Sequence, residues 1–222
     1  ATQIAADMDF DTQVASPIDV AAESNLKTYG ELVFAASLCN DASFNPDIEG
    51  EIIGDPTEGA LIRMAKIFGV DSEELEREYP RIFEIPFDSE RKMMTTVNCV
   101  KGKLISYTKG AADAIFPLCD RILTADGEQA VTDVDKEKVK KLCVFMSEQS
   151  LRVLGFSCRV LPSFEKEENL ESNMTFIGVV GLIDPPRAEV SEAMNVCRLA
   201  GIRTVMITGD HKVTAAAIAK EI

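Results

Sequence analysis

Hydrophobic positions along this chain follow a helical period first and a strand period afterwards. Between residues 26 and 78 apolar side chains recur every three or four positions, so that Leu32, Val33, Ala36 and Cys39 share one face of a predicted helix. A second helix has its own start signal, because Asp55 is a candidate N-cap in front of a proline. The pattern predicts helices over residues 26–39, 56–68, 73–78, 112–118 and 133–150.

The pattern changes period at residue 82, where short runs typical of strands begin, bounded by turn residues. Lys101-Gly102 separates two of these runs and is a two-residue hairpin signal. We therefore predict an α+β fold, a mostly antiparallel sheet with helices packed on it. Strands are predicted over residues 82–86, 93–100, 103–108, 121–124, 129–131, 153–160 and 174–183.

The pattern changes again after Asp184. A helix over residues 188–200, a strand over 203–208 and a helix over 213–222 alternate in the manner of a parallel α/β sheet. We predict one domain over residues 1–180 and a partial parallel α/β unit over residues 181–222. The polar, acidic residues 1–24 are expected to be irregular or partly extended.

Composition narrows the classes of partner. The 37 acidic residues outnumber the 23 lysines and arginines, and the formal net charge of −14 repels phosphate backbones, which argues against a nucleic-acid partner. Apolar runs such as residues 177–183 are far shorter than the roughly 18 residues that indicate a membrane span. The six cysteines form no Cys-x-x-Cys pair and there is one histidine, so we expect buried free thiols and no metal site.

Two segments at predicted strand ends have the chemistry of a nucleotide site. Lys109-Gly110-Ala111 joins a strand to a helix, where small residues let a ligand approach the backbone and helix N–H groups face an anion. Phe87 lies beside the charged residues 88–92, and an exposed ring near cations suits a purine with its phosphates. The ordinary interpretations are a solvated lysine before a helix cap and a core phenylalanine at a strand end.

Further candidates follow from position in the chain. Arg152 precedes a strand and is a candidate phosphate ligand, and Glu58 is a candidate acceptor for an adenine amino group. A surface arginine after a helix and a carboxylate favoured by the helix dipole are the alternatives. Thr208, Gly209 and Asp210 follow a predicted parallel strand, where open α/β sheets bind ligands, or else form a turn in which Asp210 caps the next helix.

Taken in order, these motifs resemble the P-type cation-transporting ATPases over about residues 26–222. The similarity is greatest to the type II branch and, within it, to calcium pumps of the bacterial and secretory-pathway kind. The heavy-metal branch lacks a Lys-Gly-Ala motif of this kind and uses a histidine–proline pair that this chain does not have. The motifs are Gly54-Asp55-Pro56-Thr57-Glu58, residues 87–92, Lys109-Gly110-Ala111, Arg152, Asp184-Pro185-Pro186-Arg187 and residues 206–210.

The resemblance implies a nucleotide-binding (N) domain followed by part of a phosphorylation (P) domain of the haloacid-dehalogenase-like fold, with ATP or ADP as ligand. It implies that Phe87 stacks on the adenine and that Glu58 contacts the adenine edge. Lys92 and Lys109 would line the pocket, and Gly110 and Ala111 would let the ligand approach the backbone. Arg152 would bind the phosphate end. It assigns the hinge between the domains and the phosphoryl site to Asp184, Arg187, Thr208, Gly209 and Asp210.

The parent protein implied is a membrane pump whose cytoplasmic part transfers the γ-phosphoryl of ATP to an aspartate with the help of Mg²⁺. The transported cation, Ca²⁺ by motif spelling, the other pump domains and the membrane helices are the implied partners. The acceptor stretch Asp-Lys-Thr-Gly-Thr and the magnesium-binding Gly-Asp-Gly-x-Asn-Asp stretch do not occur in these 222 residues. We therefore expect an excised piece that binds nucleotide, contains no catalytic residue and is not phosphorylated.

The sequence departs from the family pattern at two positions. Ser89 stands where some calcium pumps have arginine, which removes one phosphate contact, and Ala112 stands where proline is usual.

Two other classes of function stay open. A haloacid-dehalogenase-like phosphohydrolase needs an Asp-x-Asp nucleophile after a buried strand, and Asp7-Met8-Asp9 has that spelling after a very short apolar run. A ligand-binding or regulatory module without nucleotide is the other alternative, and titration with ATP distinguishes it.

Overall fold

The computed structural model describes residues 2–5, 23–149, 151–163, 167–183, 188–207 and 219. In chain order its elements are β1 (Thr2–Ala5), α1 (Glu23–Leu38), β2 (Ser43–Phe44), β3 (Ile52–Ile53), α2 (Pro56–Ile67), α3 (Ser72–Glu78), β4 (Arg81–Asp88), β5 (Met93–Val100), β6 (Lys103–Ala111), α4 (Ala112–Ile115), a 3₁₀ turn (Phe116–Leu118), β7 (Cys119–Thr124), β8 (Gly127–Ala130), α5 (Asp133–Glu148), β9 (Arg152–Leu161), α6 (Glu167–Leu170), β10 (Met174–Leu182) and α7 (Ala188–Leu199).

One large sheet organises the molecule. Within the described ranges it has eight strands in the order β4-β5-β6-β9-β10-β7-β8, and β1 also pairs with β10. The β10–β7 pair is parallel, and the other pairs of this sheet are antiparallel. The predicted α+β class with a mostly antiparallel sheet is therefore confirmed.

Helices cover both faces of this sheet. Since successive side chains of a strand point to opposite faces, Leu154 of β9 packs with the core under α1, α2 and α3, whereas Val153 packs with the core under α4 and α5. The result is three layers with apolar cores on each side of the sheet.

Local capping signals explain where the helices begin. Asp55 is the N-cap of α2, its carboxylate accepts a hydrogen bond from the N–H of Thr57 at 2.8 Å, and Pro56 occupies the first turn. Helix α5 begins with a capping box in which Thr132 and Asp135 satisfy each other's backbone N–H groups. These ends agree with the boundaries that the sequence predicts.

Strand β6 is longer than its apolar pattern predicts. β6 continues to Ala111, and β5 pairs with it up to the Met93–Gly110 position. Lys109 therefore lies inside a strand and not at its end, which corrects the prediction. The physical reason is that β5 and β9 both hydrogen-bond to β6 as far as Gly110, whatever its side chains.

The predicted strand over residues 203–208 is not formed in its described part. Residues 202–207 have no regular secondary structure and are exposed, and no strand among the described residues pairs with them. A strand forms only when a neighbouring strand accepts and donates its backbone hydrogen bonds, and an apolar run alone does not supply that neighbour. The predicted helix over residues 213–222 lies outside the described residues, apart from residue 219.

Two other expectations concern domain division and membrane spans. The boundary predicted at residue 180 falls inside β10, which pairs with β9 as far as Leu182. The helices that the structure describes include none that combines the length and the apolar character needed to cross a membrane.

Candidate functional site

A cavity of about 290 Å³ opens where the start of α2 meets β4, β6 and β9. Five of the predicted site residues line it, namely Glu58, Phe87, Lys109, Gly110 and Arg152. The other lining residues are Asp55, Thr57, Leu61 and Leu154. The ring of Phe87 and the ammonium of Lys109, which come from different strands, thus share one cavity.

Glu58 and Lys109 form an ion pair inside this cavity. The Nζ of Lys109 donates to Oε1 of Glu58, and their side chains are only 8% and 16% exposed respectively. The other carboxylate oxygen, Oε2, accepts the backbone N–H of Asp41 at 3.1 Å. Asn40 donates its side-chain amide to the Glu58 carbonyl at 3.1 Å. Glu58 is therefore held in position from two sides and its charge is balanced.

Arg152 lies at the first residue of β9 and faces the start of α2. Its Nη1 donates to the hydroxyl of Thr57 at 3.4 Å, and its side chain is exposed. Among the described residues Arg152 forms no ion pair, which leaves its guanidinium available to an anion.

Asp55 places a second carboxylate on the cavity wall. Partial burial works to raise its pKa, but hydrogen bonds from Thr57 and from the N–H of Glu58, together with the charge of Arg152, lower the pKa below its ordinary value of 3.8. Asp55 is therefore ionised at neutral pH and caps α2 as a carboxylate.

Phe87 supplies an aromatic surface at the mouth of the cavity. It lies one residue before the end of β4, and 63% of its surface is exposed to solvent. Leu61 of α2 and Leu154 of β9 add apolar lining. An exposed ring beside a cavity with two cations is an arrangement that can stack on a flat heterocycle and hold an attached anion.

The structure gives a packing reason for Gly110. A Cβ at this position would lie 2.2 Å from the Lys92 carbonyl oxygen and 2.7 Å from the Met93 Cα, so β5 and β6 can only pair here if residue 110 has no side chain. Gly110 also lines the cavity. Close approach between strands, which sequence reasoning did not consider, is therefore sufficient to require this glycine.

Two predicted site residues lie next to the cavity without lining it. Lys92 ends the turn after β4 with a φ of 57°, and Ala111 is the residue before α4. The N–H of Ala111 donates to the Lys92 carbonyl at 3.0 Å, so the two are linked through the backbone.

Four lining residues were not predicted from the sequence to belong to the site, and they are Asp55, Thr57, Leu61 and Leu154. Spacing would have found two of them, because Leu61 follows Glu58 by three positions on a helix and Leu154 follows Arg152 by two on a strand. The predicted hinge and phosphoryl residues lie outside the described residues, and they are Asp184, Arg187, Thr208, Gly209 and Asp210. The Asp7-Met8-Asp9 stretch is also outside them.

A second cavity, of about 770 Å³, lies on the other face of the sheet between α4 and α5. Val153 of β9 and Leu151, the residue just before β9, line it, whereas Arg152 and Leu154 line the smaller cavity, as strand alternation requires. It contains none of the predicted site residues. Among the described residues no group of three or more His, Cys, Asp or Glu side chains is arranged to hold a metal ion.

Comparison with known proteins assigns the family. Residues 28–189 match the family model described as the P-type ATPase cytoplasmic domain N. The Calcium-transporting ATPase 1 of Bacillus cereus is 47% identical over 186 residues, 83% of this chain and 21% of that protein. The Calcium-transporting ATPase 1 of Lactococcus lactis is 40% identical over 193 residues, 86% of this chain and 22% of that protein.

A more distant relative is named for a different cation specificity. The sodium/potassium-transporting ATPase subunit alpha-1 of Oreochromis mossambicus is 35% identical over 213 residues, 87% of this chain and 21% of that protein. The chain thus spans about a fifth of the length of these curated relatives. The family match covers most of the sheet and both helical layers described above, and this chain belongs to the P-type cation-transporting ATPases, with the cytoplasmic N domain of that family as its matched part.

Proposed function

We propose that this chain binds ATP, and ADP, in the cavity between α2, β4, β6 and β9 and serves as the nucleotide-binding domain of a cation-transporting ATPase. The observation that carries the proposal is the convergence of Phe87, Lys109 and Arg152 on one cavity from three different strands. An aromatic platform and two cations match the two parts of a nucleotide, its base and its phosphates.

In this proposal the adenine stacks on Phe87 and the phosphates extend toward Arg152. The cavity of about 290 Å³ is near the lower end of ligand sites, which span roughly 300–1000 Å³, so the nucleoside occupies it and the phosphates remain near solvent. Glu58 accepts the adenine amino group. A carboxylate has about four acceptor positions, and two are used by Lys109 and Asp41, so acceptor capacity remains.

For the whole protein we propose ATP hydrolysis through an aspartyl-phosphate, coupled to transport of a cation across the cell membrane. The higher identity to relatives named calcium-transporting than to the sodium/potassium pump favours Ca²⁺. Mg²⁺ would arrive with the phosphates, which commonly supply its ligands. The acceptor aspartate, ion ligands and membrane helices would belong to other parts of the pump, so this chain alone binds nucleotide without being phosphorylated.

The remaining predicted residues fit this proposal as a connection to the P domain. We propose that the N domain ends after Leu182, the last residue of β10, and that Asp184 and Arg187 form part of the hinge. Thr208, Gly209 and Asp210 would belong to the phosphoryl site. Hinge closure would then bring the γ-phosphate to the acceptor, where positioning and charge neutralisation dominate catalysis.

Calorimetric titration with ATP tests the proposal. Phe87→Ala should weaken ATP binding by about tenfold, since loss of one stacking contact costs about 1–3 kcal/mol. Lys109→Gln should weaken it as well, because the ammonium is lost. Matched controls on the same strands are Ile82→Ala on β4 and Lys103→Gln on β6, which lie away from the cavity and should bind as the wild type does.

The outcomes separate the classes of function. No heat and no amide shifts on addition of ATP to the folded wild type would favour a module that does not use nucleotide. Binding that is unchanged in Phe87→Ala would retain nucleotide binding and remove the stacking assignment. Thermal unfolding of each variant verifies that the fold is intact.

A further inference from the structure

The segment that presents Phe87 leaves the regular strand ladder. Ile85 of β4 pairs with Thr95 and Asp88 pairs with Met93, and the register shifts between these two pairs. Pro86 and Phe87 therefore lie in the irregular part of β4. A ring that must stay in one place for stacking needs another restraint here, because the ladder does not provide it.

Arg91 provides such a restraint. Its Nη2 donates to the Pro86 carbonyl at 2.8 Å, one residue before Phe87. Its Nη1 donates to both carboxylate oxygens of Glu171, at 2.5 and 2.7 Å. One guanidinium thus ties the irregular segment to a residue that is 80 positions away in the chain.

Glu171 is itself fixed to the interior of the sheet. Its side chain is 15% exposed, and Oε1 also accepts the hydroxyl of Thr95 at 2.8 Å. The Thr95 hydroxyl in turn lies 2.8 Å from the hydroxyl of Thr108, and both threonines are buried. Thr108 directly precedes Lys109. The restraint on Pro86 is therefore anchored to β5 and to β6, the strand that carries Lys109.

The bonds within the turn do not replace this anchor. The Asp88 carboxylate accepts the N–H groups of Glu90 and Arg91 at 2.9 Å each, and the N–H of Lys92 donates to the Asp88 carbonyl at 2.7 Å. These bonds join residues of the turn to each other and set its shape. Only the Arg91 side chain, among the bonds described for this turn, connects Pro86 to Glu171.

We propose that Arg91 is a positioning residue for the adenine-stacking ring of Phe87, with Glu171 as its anchor. Neither residue lines the cavity, so the pair acts through the segment that contains Phe87. The inference rests on the proposed nucleotide function, since it concerns the residue that stacks on the base. Its first measurement, however, needs no nucleotide.

The first test is the mobility of the ring segment in the free protein. In Arg91→Gln the Pro86 carbonyl and Glu171 lose their shared donor, so ¹⁵N relaxation should show a lower order parameter at the Phe87 amide than in the wild type. Arg121→Gln is the matched control, because Arg121 also pairs with a glutamate, Glu128, on a distant hairpin. An unchanged Phe87 amide in Arg91→Gln would overturn the proposal whether or not ATP binds.

The second test separates base from phosphate. Arg91→Gln should weaken ATP binding about fivefold and leave the binding of inorganic tripolyphosphate unchanged, because only the base meets Phe87. In the Phe87→Ala background the same substitution should have no further effect on ATP. An equal loss for both ligands, or a loss that persists without the ring, would show a general structural effect and refute the positioning role.

Two more variants keep the proposal testable if the Arg91→Gln protein does not fold. Arg91→Lys keeps the charge but not the two-sided donor geometry, so the same base-specific loss is expected. Glu171→Gln removes the anchor charge and should also act only through Phe87. Wild-type protein that fails to bind ATP would count against the proposed function, while the relaxation result would still decide whether Arg91 restrains the segment.

Discussion

The ion pair between Glu58 and Lys109 sets the chemistry available at single residues of the cavity. An ammonium has three donors, and the pair uses one of those on Lys109. A nucleotide can therefore bind Lys109 without displacing Glu58. Both side chains are largely buried, so Lys109→Gln leaves the Glu58 carboxylate poorly solvated, and the double variant Glu58→Gln/Lys109→Gln is the control that separates this effect from loss of the ammonium.

Asp55 yields a pH prediction at this scale. Its folded pKa lies below the ordinary 3.8, so its charged form stabilises the fold above that pH and the stabilisation is lost as pH falls through the folded pKa. Asp55→Asn keeps an N-cap acceptor but removes the charge, and should lower the unfolding free energy by about 0.3–1 kcal/mol at pH 6. As the pH falls below 3.8 and through the folded pKa, the difference should shrink toward zero.

Urea unfolding of the two proteins at several pH values measures this difference. A difference that keeps its pH 6 value as the pH is lowered well below 3.8 would show that the Asp55 carboxylate does not have a lowered pKa in the folded state.

At the scale of elements, sequence signals within a few residues were sufficient to predict helix starts and hairpin turns. Helix α2 begins where Asp55 and Pro56 predict it, and the β5–β6 hairpin turns at Lys101 and Gly102, which both have positive φ, at 48° and 78°. The order of strands was not predictable in this way. The parallel pairing of β10 with β7 joins segments about fifty residues apart, and no single run of residues encodes it.

The site follows the same division. Glu58, Phe87, Lys109 and Arg152 could be proposed one by one from their positions at predicted element ends, and their motif order linked them to a family. The ion pair between Arg91 and Glu171 joins residues 80 positions apart. From the sequence alone, each of the two would be interpreted as a charged surface residue. Such contacts depend on strand order, which is why periodicity does not predict them.

The space around two glycines predicts opposite effects of an alanine substitution on stability. Gly110→Ala should destabilise the protein by about 1–3 kcal/mol or more, since the new Cβ meets the Lys92 carbonyl at 2.2 Å. Gly30→Ala is the control within α1, where nothing lies within 4 Å of the new Cβ, and it should stabilise by up to about 1 kcal/mol. Thermal or urea unfolding measures both, and a tolerated Gly110→Ala would contradict the close approach.

At the scale of the whole molecule, the sheet packs against a helical layer on each face, and the two layers contain different cavities. The layer with α1 and α2 has the smaller cavity, which contains the Glu58–Lys109 pair, and the layer with α4 and α5 has the larger cavity. β9 separates them, with Arg152 and Leu154 on one side and Leu151 and Val153 on the other. The two cavities are therefore separated by the thickness of one strand.

The strand order also ranks how readily backbone amides exchange with solvent deuterium. All nine residues of β10 are buried, and it has partners on both edges, so its amides should exchange only when the whole domain opens. β4 is at the end of the strand order, with β5 as its one partner among the described residues, and should open by itself. The aromatic platform would thus lie on a terminal strand that opens readily, and ATP should slow deuterium uptake in β4 while β10 stays unchanged. Mass spectrometry of deuterium uptake would contradict this ranking if β4 and β10 were equally protected in the free protein.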